Sequence, residues 1–377
     1  MADIAVETGD TGMLAACDRL WDSIVNRRMY ITGGIGSMEH GESFTADYDL
    51  PGDLAYAETC ASVGLIFFAR RMRKLRRSSK YGDIIERALY NTVISGMSLD
   101  GKKFFYVNPL EVYPDVIGKN KNYDHIKPER QGWFTCACCP PNVSRLLASL
   151  GEYIYFEEKN RLSFELYIGS TIRTELAGIP VTIQQESNYT SEGRTRFIVN
   201  PEFPGSFALA LRFPDWCGQA KVTVNGATME YQAGDENGYI VLERIWKAGD
   251  EVEVWFAMPV KAMESHPLVR QTFGKIALQR GPFVYCLEEA DNGKRLYQFR
   301  LSEAERYDIG VTDWIPGGVK VITATGLRLK PKEQWDSSLY RPNTTYSAEA
   351  VHLSFIPYFA WANRGVGEMS VWVGIDG

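Results

Sequence analysis

No apolar run in the 377-residue chain reaches the roughly 18 residues needed to cross a bilayer as a helix. The 41 basic residues are outnumbered by 47 acidic ones, a net charge of −6, which argues against a nucleic-acid groove. Residues 1–20 lack the basic and apolar segments of a secretory signal, so the sequence reads as cytoplasmic, with no membrane partner. The four histidines, His40, His125, His266 and His352, show no metal spacing, and no Ser-His-Asp arrangement is legible. There is no repeat of fixed period. Thr32-Gly33-Gly34-Ile35-Gly36 lacks the Lys-Ser/Thr of a phosphate loop and follows no strand. It reads as a turn that lets backbone approach a ligand or a neighbouring helix.

What is present is ordinary globular composition, with 45% hydrophobic and 23% charged residues. The length suits two or three domains. Residues 1–155 read as helices. Leu14, Cys17, Leu20, Trp21, Ile24 and Val25 recur at helical spacing, as do Ala57, Ala61, Leu65, Phe68, Met72 and Leu75. Ile84 to Val93 and Val143 to Leu150 supply two more helices, the last opened by Pro140-Pro141. Long Gly- and aromatic-bearing loops, 30–54 and 98–139, separate them, and loops of that length usually line a ligand site. Four helices spread over such loops make a poor core alone, so this region reads as the second half of a larger helical domain. An apolar face left open there predicts homo-oligomerisation.

Near Tyr153 the apolar period shifts from 3.6 to 2. Leu162 to Tyr167, Val181 to Ile183, Phe207 to Leu211, Val222 to Val224 and Val252 to Val254 alternate between turn signals such as Asn225-Gly226 and Asn237-Gly238. This is the pattern of an antiparallel sandwich. Ile276 to Gln279, Phe283 to Leu287 and Val351 to Phe355 mark a second β unit. The expected division is 1–155 helical, 156–270 β-sandwich and 271–377 β-sandwich.

The chemistry-bearing residues sit in the helical part. Three of the seven cysteines, Cys136, Cys138 and Cys139, crowd together, and reduced thiols so placed read as metal-binding or catalytic. With Glu58-Thr59-Cys60 they could form a tetrahedral Zn²⁺ shell of thiolates and one carboxylate. An inert structural zinc, or buried free thiols, are the alternatives. Residues i and i+2 point apart on a helix, so Glu58 and Cys60 can share a metal only at or before a first turn. Glu42 lies in an aromatic loop near Asp47, Asp49 and Asp53 and suits a general acid; a solvated loop acid is the bland reading. Phe104, Phe105 and Tyr106 are either a sugar-stacking surface or core. His40 and His125 could hydrogen-bond a ligand.

The runs Met29 to Gly36, Tyr48 to Pro51, Ala55 to Cys60, Gly101 to Leu110 and Cys136 to Asn142 together resemble glycoside hydrolase family 127, which contains the non-reducing-end β-L-arabinofuranosidases. The resemblance implies a multidomain α + β protein, in which the C-terminal half of an (α/α)6 barrel is followed by antiparallel β-sandwich domains. It also implies further helices upstream. It implies Zn²⁺ held by Glu58, Cys60, Cys138 and Cys139, with Cys138 as nucleophile, Glu42 as acid/base and Tyr106 in contact with an arabinofuranoside-type oligosaccharide. Cys136 falls outside the ligand set. Two other functions stay open: a zinc-stabilised fragment or carbohydrate-binding subunit without catalysis, and a lyase or epimerase on the same barrel.

Overall fold

The helices form where the apolar spacing demands. In the computed structural model, which describes residues 1–302, 306–335, 337–343 and 345–376, α1 (Ala2–Thr8) and α2 (Thr11–Arg27) precede the first long loop. Asp10 caps α2 through the Gly12 and Met13 amides. Helix α3 (Thr59–Leu75) buries Thr59, Ser62, Val63, Ile66, Ala69, Met72 and Arg73, a stripe at three- and four-residue steps. Helix α4 (Lys80–Ala88) continues into a π turn at Leu89–Val93, and α5 (Cys139–Ala148) opens with its two prolines in the first turn. Trp21 meets Tyr81 edge-on at 4.7 Å between ring centres, tying α2 to α4. The Gly33 turn proves to be a packing device. It adopts φ +78°, and a Cβ there would lie 2.6 Å from the Ala88 Cα.

A short strand β1 (Glu111–Val112) lies in the second long loop. The chain then enters sheet structure with β2 (Tyr155–Glu158), β3 (Arg161–Phe164), β4 (Ser170–Leu176), β5 (Ile179–Asn188), β6 (Arg194–Pro201) and β7 (Gly205–Arg212). These are followed by β8 (Ala220–Val224), β9 (Ala227–Tyr231), β10 (Tyr239–Trp246) and β11 (Asp250–Phe256). They make a four-stranded sheet, β10-β7-β3-β2, and a six-stranded sheet, β4-β5-β6-β11-β8-β9. Leu162, Phe207 and Ile240 of one share a core with Ile183, Phe197 and Val252 of the other.

Two details differ from the alternating, antiparallel expectation. β3 runs parallel to β7. Ser163 and Glu165, the polar half of the Leu162 to Tyr167 alternation, are buried, because that face meets helices and not water. The Glu165 carboxylate lies 2.7 Å from the Arg73 Nε of α3 and accepts from the Tyr239 hydroxyl. Arg212, fully buried on β7, pairs with Asp83 and Glu86 of α4. Buried ions persist only when paired, so this network fixes the sandwich against the helices.

The last sheet is ten-stranded, with β12 (Val260–Met263), β13 (Lys275–Arg280), β14 (Phe283–Glu288), β15 (Phe299–Ser302), β16 (Tyr307–Val311), β17 (Lys320–Pro331), β18 (Tyr346–Pro357), β19 (Met369–Ser370) and β20 (Val373–Asp376). Since β12 pairs with β13, this sheet begins before residue 270. Its core is shared with the two long loops: Tyr30, Tyr56, Phe105 and Val107 pack among Tyr285, Phe355 and Trp361. Phe105 stacks on Trp361 at 4.7 Å. The buried Arg130 donates to the carbonyls of Ser95, Phe359 and Trp361, and β1 pairs with β19. The loops are thus braced by the C-terminal sheet. Among the described residues no helix is long and apolar enough to cross a membrane.

Candidate active site

Two extended segments lie side by side at the centre of the helical part. The Asn108 amide donates to the Tyr56 carbonyl, and the Thr59 amide to the Tyr106 carbonyl at 3.0 Å. Asn108 Nδ2 bonds both the Ala57 carbonyl and the Thr59 hydroxyl. Ala57 sits at φ +38°, a costly conformation for an L residue, held by its amide bond to the Gly36 carbonyl at 2.8 Å. This kink delivers Glu58 to the N-cap of α3. Its carboxylate caps no backbone amide and is free to face elsewhere.

It faces sulfur. Glu58 Oε1 lies 3.3 Å from Cys138 Sγ, Cys138 Sγ lies 3.7 Å from Cys139 Sγ, and Cys139 Sγ lies 3.5 Å from Cys60 Sγ. One donor atom from each of the four residues falls within 4.8 Å of all the others, so the cluster could hold a metal ion. Glu58 and Cys60 meet there because they flank the first residue of α3, and Cys138 and Cys139 because they open α5. Two helix N-termini therefore converge on a group of acidic donors, the end where the helix dipole favours negative charge. All these thiols are free. Burial pushes Cys138 up to about 12. Its contact with Cys60, and then burial, drives Cys139 above the ordinary thiol range. Cys60 goes the other way, lowered first by its contact with Cys139 and also by the Asn142 amide, against burial. Thiols so placed need a cation beside them to ionise together.

Glu42 sits on a tight hairpin closed by Met38–Ser43 backbone bonds, at φ +48°. Its Oε1 accepts from Tyr56 at 2.8 Å and from Tyr106 at 3.1 Å. The Tyr106 hydroxyl also lies near Cys138. Burial, followed by neighbouring anionic groups, raises both tyrosines far above the ordinary phenol value, so each remains a donor. A small cleft lined by Gly36, Glu42, Phe44, Tyr56 and Glu58 opens at this point.

The other residues singled out by sequence are not among the four donors of the cluster. Asp47 pairs with Arg27 and Arg28, Asp49 with Arg270, and Asp53 accepts from Tyr123. Phe104 and Phe105 are core. Cys136 and His40 are exposed. The His125 side chain is buried behind Tyr56, 5.9 Å between ring centres, and burial lowers its pKa.

Comparisons with known proteins match the chain along most of its length. Residues 1–152 fit the family model described as β-L-arabinofuranosidase, GH127 catalytic domain. Residues 161–258 fit the model of its middle domain, and 260–374 that of the glycoside hydrolase family 127 C-terminal domain. The chain belongs to glycoside hydrolase family 127. A non-reducing end β-L-arabinofuranosidase of Bifidobacterium longum subsp. longum is 39% identical over 96% of the chain and 56% of its own length. A crystal structure of a β-L-arabinofuranosidase of this family from Geobacillus stearothermophilus is 49% identical, covers 100% of the chain and 59% of its own, and superposes with a TM-score of 0.95. A further β-arabinofuranosidase structure of the family is 35% identical, with a TM-score of 0.87 over 100% of this chain and 58% of its own. The chain thus spans somewhat more than half the length of these relatives.

Two polar residues at the centre of this family 127 chain escaped the reading of residue spacing. Tyr56 is the second donor to Glu42, and Asn142 donates to Cys60 Sγ at 3.1 Å. A signal existed for Asn142. It follows Cys138 by four residues, one helical turn, and so sits above the cluster. Nothing in the spacing marks Tyr56, whose direction depends on the kink at Ala57.

Proposed function

We propose that this chain carries the catalytic groups of a retaining glycoside hydrolase that releases non-reducing-end β-L-arabinofuranose. The observation that carries the reading is the cleft shared by Glu42 and Glu58, with the Glu58 carboxylate 3.3 Å from the Cys138 sulfur. A carboxyl group and a thiol are thus gathered about one cleft, the pairing that a double displacement requires.

The resident ion of this reading is Zn²⁺, and the donor set suits it. With zinc–sulfur bonds of about 2.3 Å, a tetrahedron has sulfur–sulfur edges of about 3.8 Å. The neighbouring edges here are 3.5 and 3.7 Å. Glu58, Cys60, Cys138 and Cys139 would hold the ion. Bound there, Zn²⁺ supplies the positive charge that keeps buried sulfur as thiolate at neutral pH.

Cys138 sulfur attacks the anomeric carbon, forming a carbon–sulfur bond as the glycosidic carbon–oxygen bond breaks. Glu42 gives its proton to the departing oxygen. Glu42 then takes a proton from water, whose oxygen displaces the sulfur and regenerates the thiolate with net retention. Tyr56 and Tyr106 occupy Oε1 of Glu42, which directs the proton transfers through Oε2. The sugar rests in the cleft between Glu42 and Glu58.

The test is hydrolysis of p-nitrophenyl β-L-arabinofuranoside by the chain, with product configuration followed by NMR. Retained β product, loss of turnover in Cys138→Ser, and a pentosyl adduct on the Cys138 peptide in Glu42→Gln are expected. Inverted product, or full activity in Cys138→Ser, overturns the reading.

A further inference from the structure

The three sulfurs of the cluster are not equivalent. Cys138 is approached by a phenol and a carboxylate, and Cys139 by the Tyr106 carbonyl at 4.0 Å. Among the described residues, Cys60 alone of the three meets a side-chain amide, Asn142 Nδ2, at 3.1 Å. An amide has a donor end and an acceptor end, and a third residue decides which end faces the sulfur. The Arg145 guanidinium, a donor only, bonds Asn142 Oδ1 at 2.8 Å. It lies over the Phe67 ring of α3 at 4.6 Å. The acceptor end is therefore engaged by Arg145, and the NH₂ points at Cys60. The amide, the arginine and the ring run from the exposed side of α5 back to α3, the helix that carries Cys60.

We infer that Asn142, oriented by Arg145, is a positioning residue that makes Cys60 the anchoring thiolate of the metal site. The N–H···S bond draws electron density from Cys60 and lowers its nucleophilicity. It also fixes the side chain in its ligating rotamer, so that Cys60 stays in place while Cys138 turns to the sugar. Groups that orient a ligand from behind commonly change metal affinity 10- to 100-fold. The inference rests on the reading that Glu58, Cys60, Cys138 and Cys139 bind zinc.

The test is zinc affinity of the full chain by competition with a chromophoric chelator, together with the sulfur-to-metal charge-transfer band of the Co²⁺-substituted protein. Asn142→Ala is expected to weaken zinc binding about tenfold or more and to shift the band to lower energy. Asn142→Asp keeps the shape and places an oxygen where the donor was. It should bind zinc no better than Asn142→Ala, whereas a space-filling role would leave it like the parent. Arg145→Met, which frees the amide to rotate, should show a smaller loss. Parental affinity and an unmoved band in a folded Asn142→Asp chain overturn the inference while leaving the metal reading intact. Failure of the parent chain to bind zinc, or parental affinity in Cys60→Ser, refutes both.

Discussion

The Tyr56 hydroxyl lies 2.8 Å from Oε1 of Glu42, the same oxygen that Tyr106 holds from the other side at 3.1 Å. One carboxylate oxygen is thus engaged twice, and in the proposed mechanism its twin is left for proton transfer. A hydrogen bond to a charged group contributes about 1.5–3 kcal/mol. Tyr56→Phe should therefore lower kcat for p-nitrophenyl β-L-arabinofuranoside roughly ten- to hundredfold, with little change in KM and an unchanged circular dichroism spectrum. A normal kcat would mean that Tyr106 suffices.

Removing the proposed metal has three expected consequences. Prolonged dialysis against a strong chelator should lower the melting temperature, because a site of Glu and three Cys stabilises the folded state only when filled. Stoichiometry by elemental analysis should fall from one zinc per chain to none. In the stripped chain the shortest sulfur separation, 3.5 Å between Cys60 and Cys139, selects that pair for disulfide formation by a mild disulfide oxidant. Vicinal Cys138 and Cys139 are disfavoured by ring strain. Peptide mapping distinguishes the two outcomes.

The buried network between helices and sandwich predicts a pH dependence. Asp83, Glu86 and Glu165 face Arg73 and Arg212, three acids against two cations. Burial, aided by Asp215 and Glu86 and opposed by Arg212, pushes Asp83 up from 3.8 to about 8. Between those values the folded chain binds more protons than the unfolded one, so this group's contribution to stability declines as pH rises through that window. Urea midpoints from pH 5 to 9 should show the decline in the parent chain. Asp83→Asn should flatten it.

Gly33→Ala tests the turn against α4. The residue would need φ +78° and would put its Cβ 2.6 Å from the Ala88 Cα. Left-handed strain and overpacking together predict a loss of about 2–4 kcal/mol, read as a shifted denaturant midpoint. Gly41→Ala, in the same helical part at φ +71° but with open space around it, should lose only the conformational part, about 1 kcal/mol.

Much of this is legible in the amino-acid sequence. The spacing of Val63, Ile66, Ala69 and Met72 marks α3, and the crowding of Cys138 and Cys139 marks the cluster. Glu58 and Cys60 share it because they sit at the start of α3, the one placement that lets residues two apart converge. Other features depend on long-range packing that period and composition do not record. Ser163 and Glu165 read as one polar face of a strand, yet they are buried against Arg73 of a helix some 90 residues earlier. Tyr56 meets Glu42 because Ala57 is held in a left-handed conformation by Gly36. The loops looked irregular because their partners are the C-terminal strands, far along the chain.

The pairing of Glu111–Val112 with Met369–Ser370 also sets a timetable. During synthesis, the segment next to Tyr106 waits for some 260 further residues to be made before its strand partner exists. The candidate site, encoded in the first 142 positions, therefore gains this part of its bracing only once the C-terminal strands have been made.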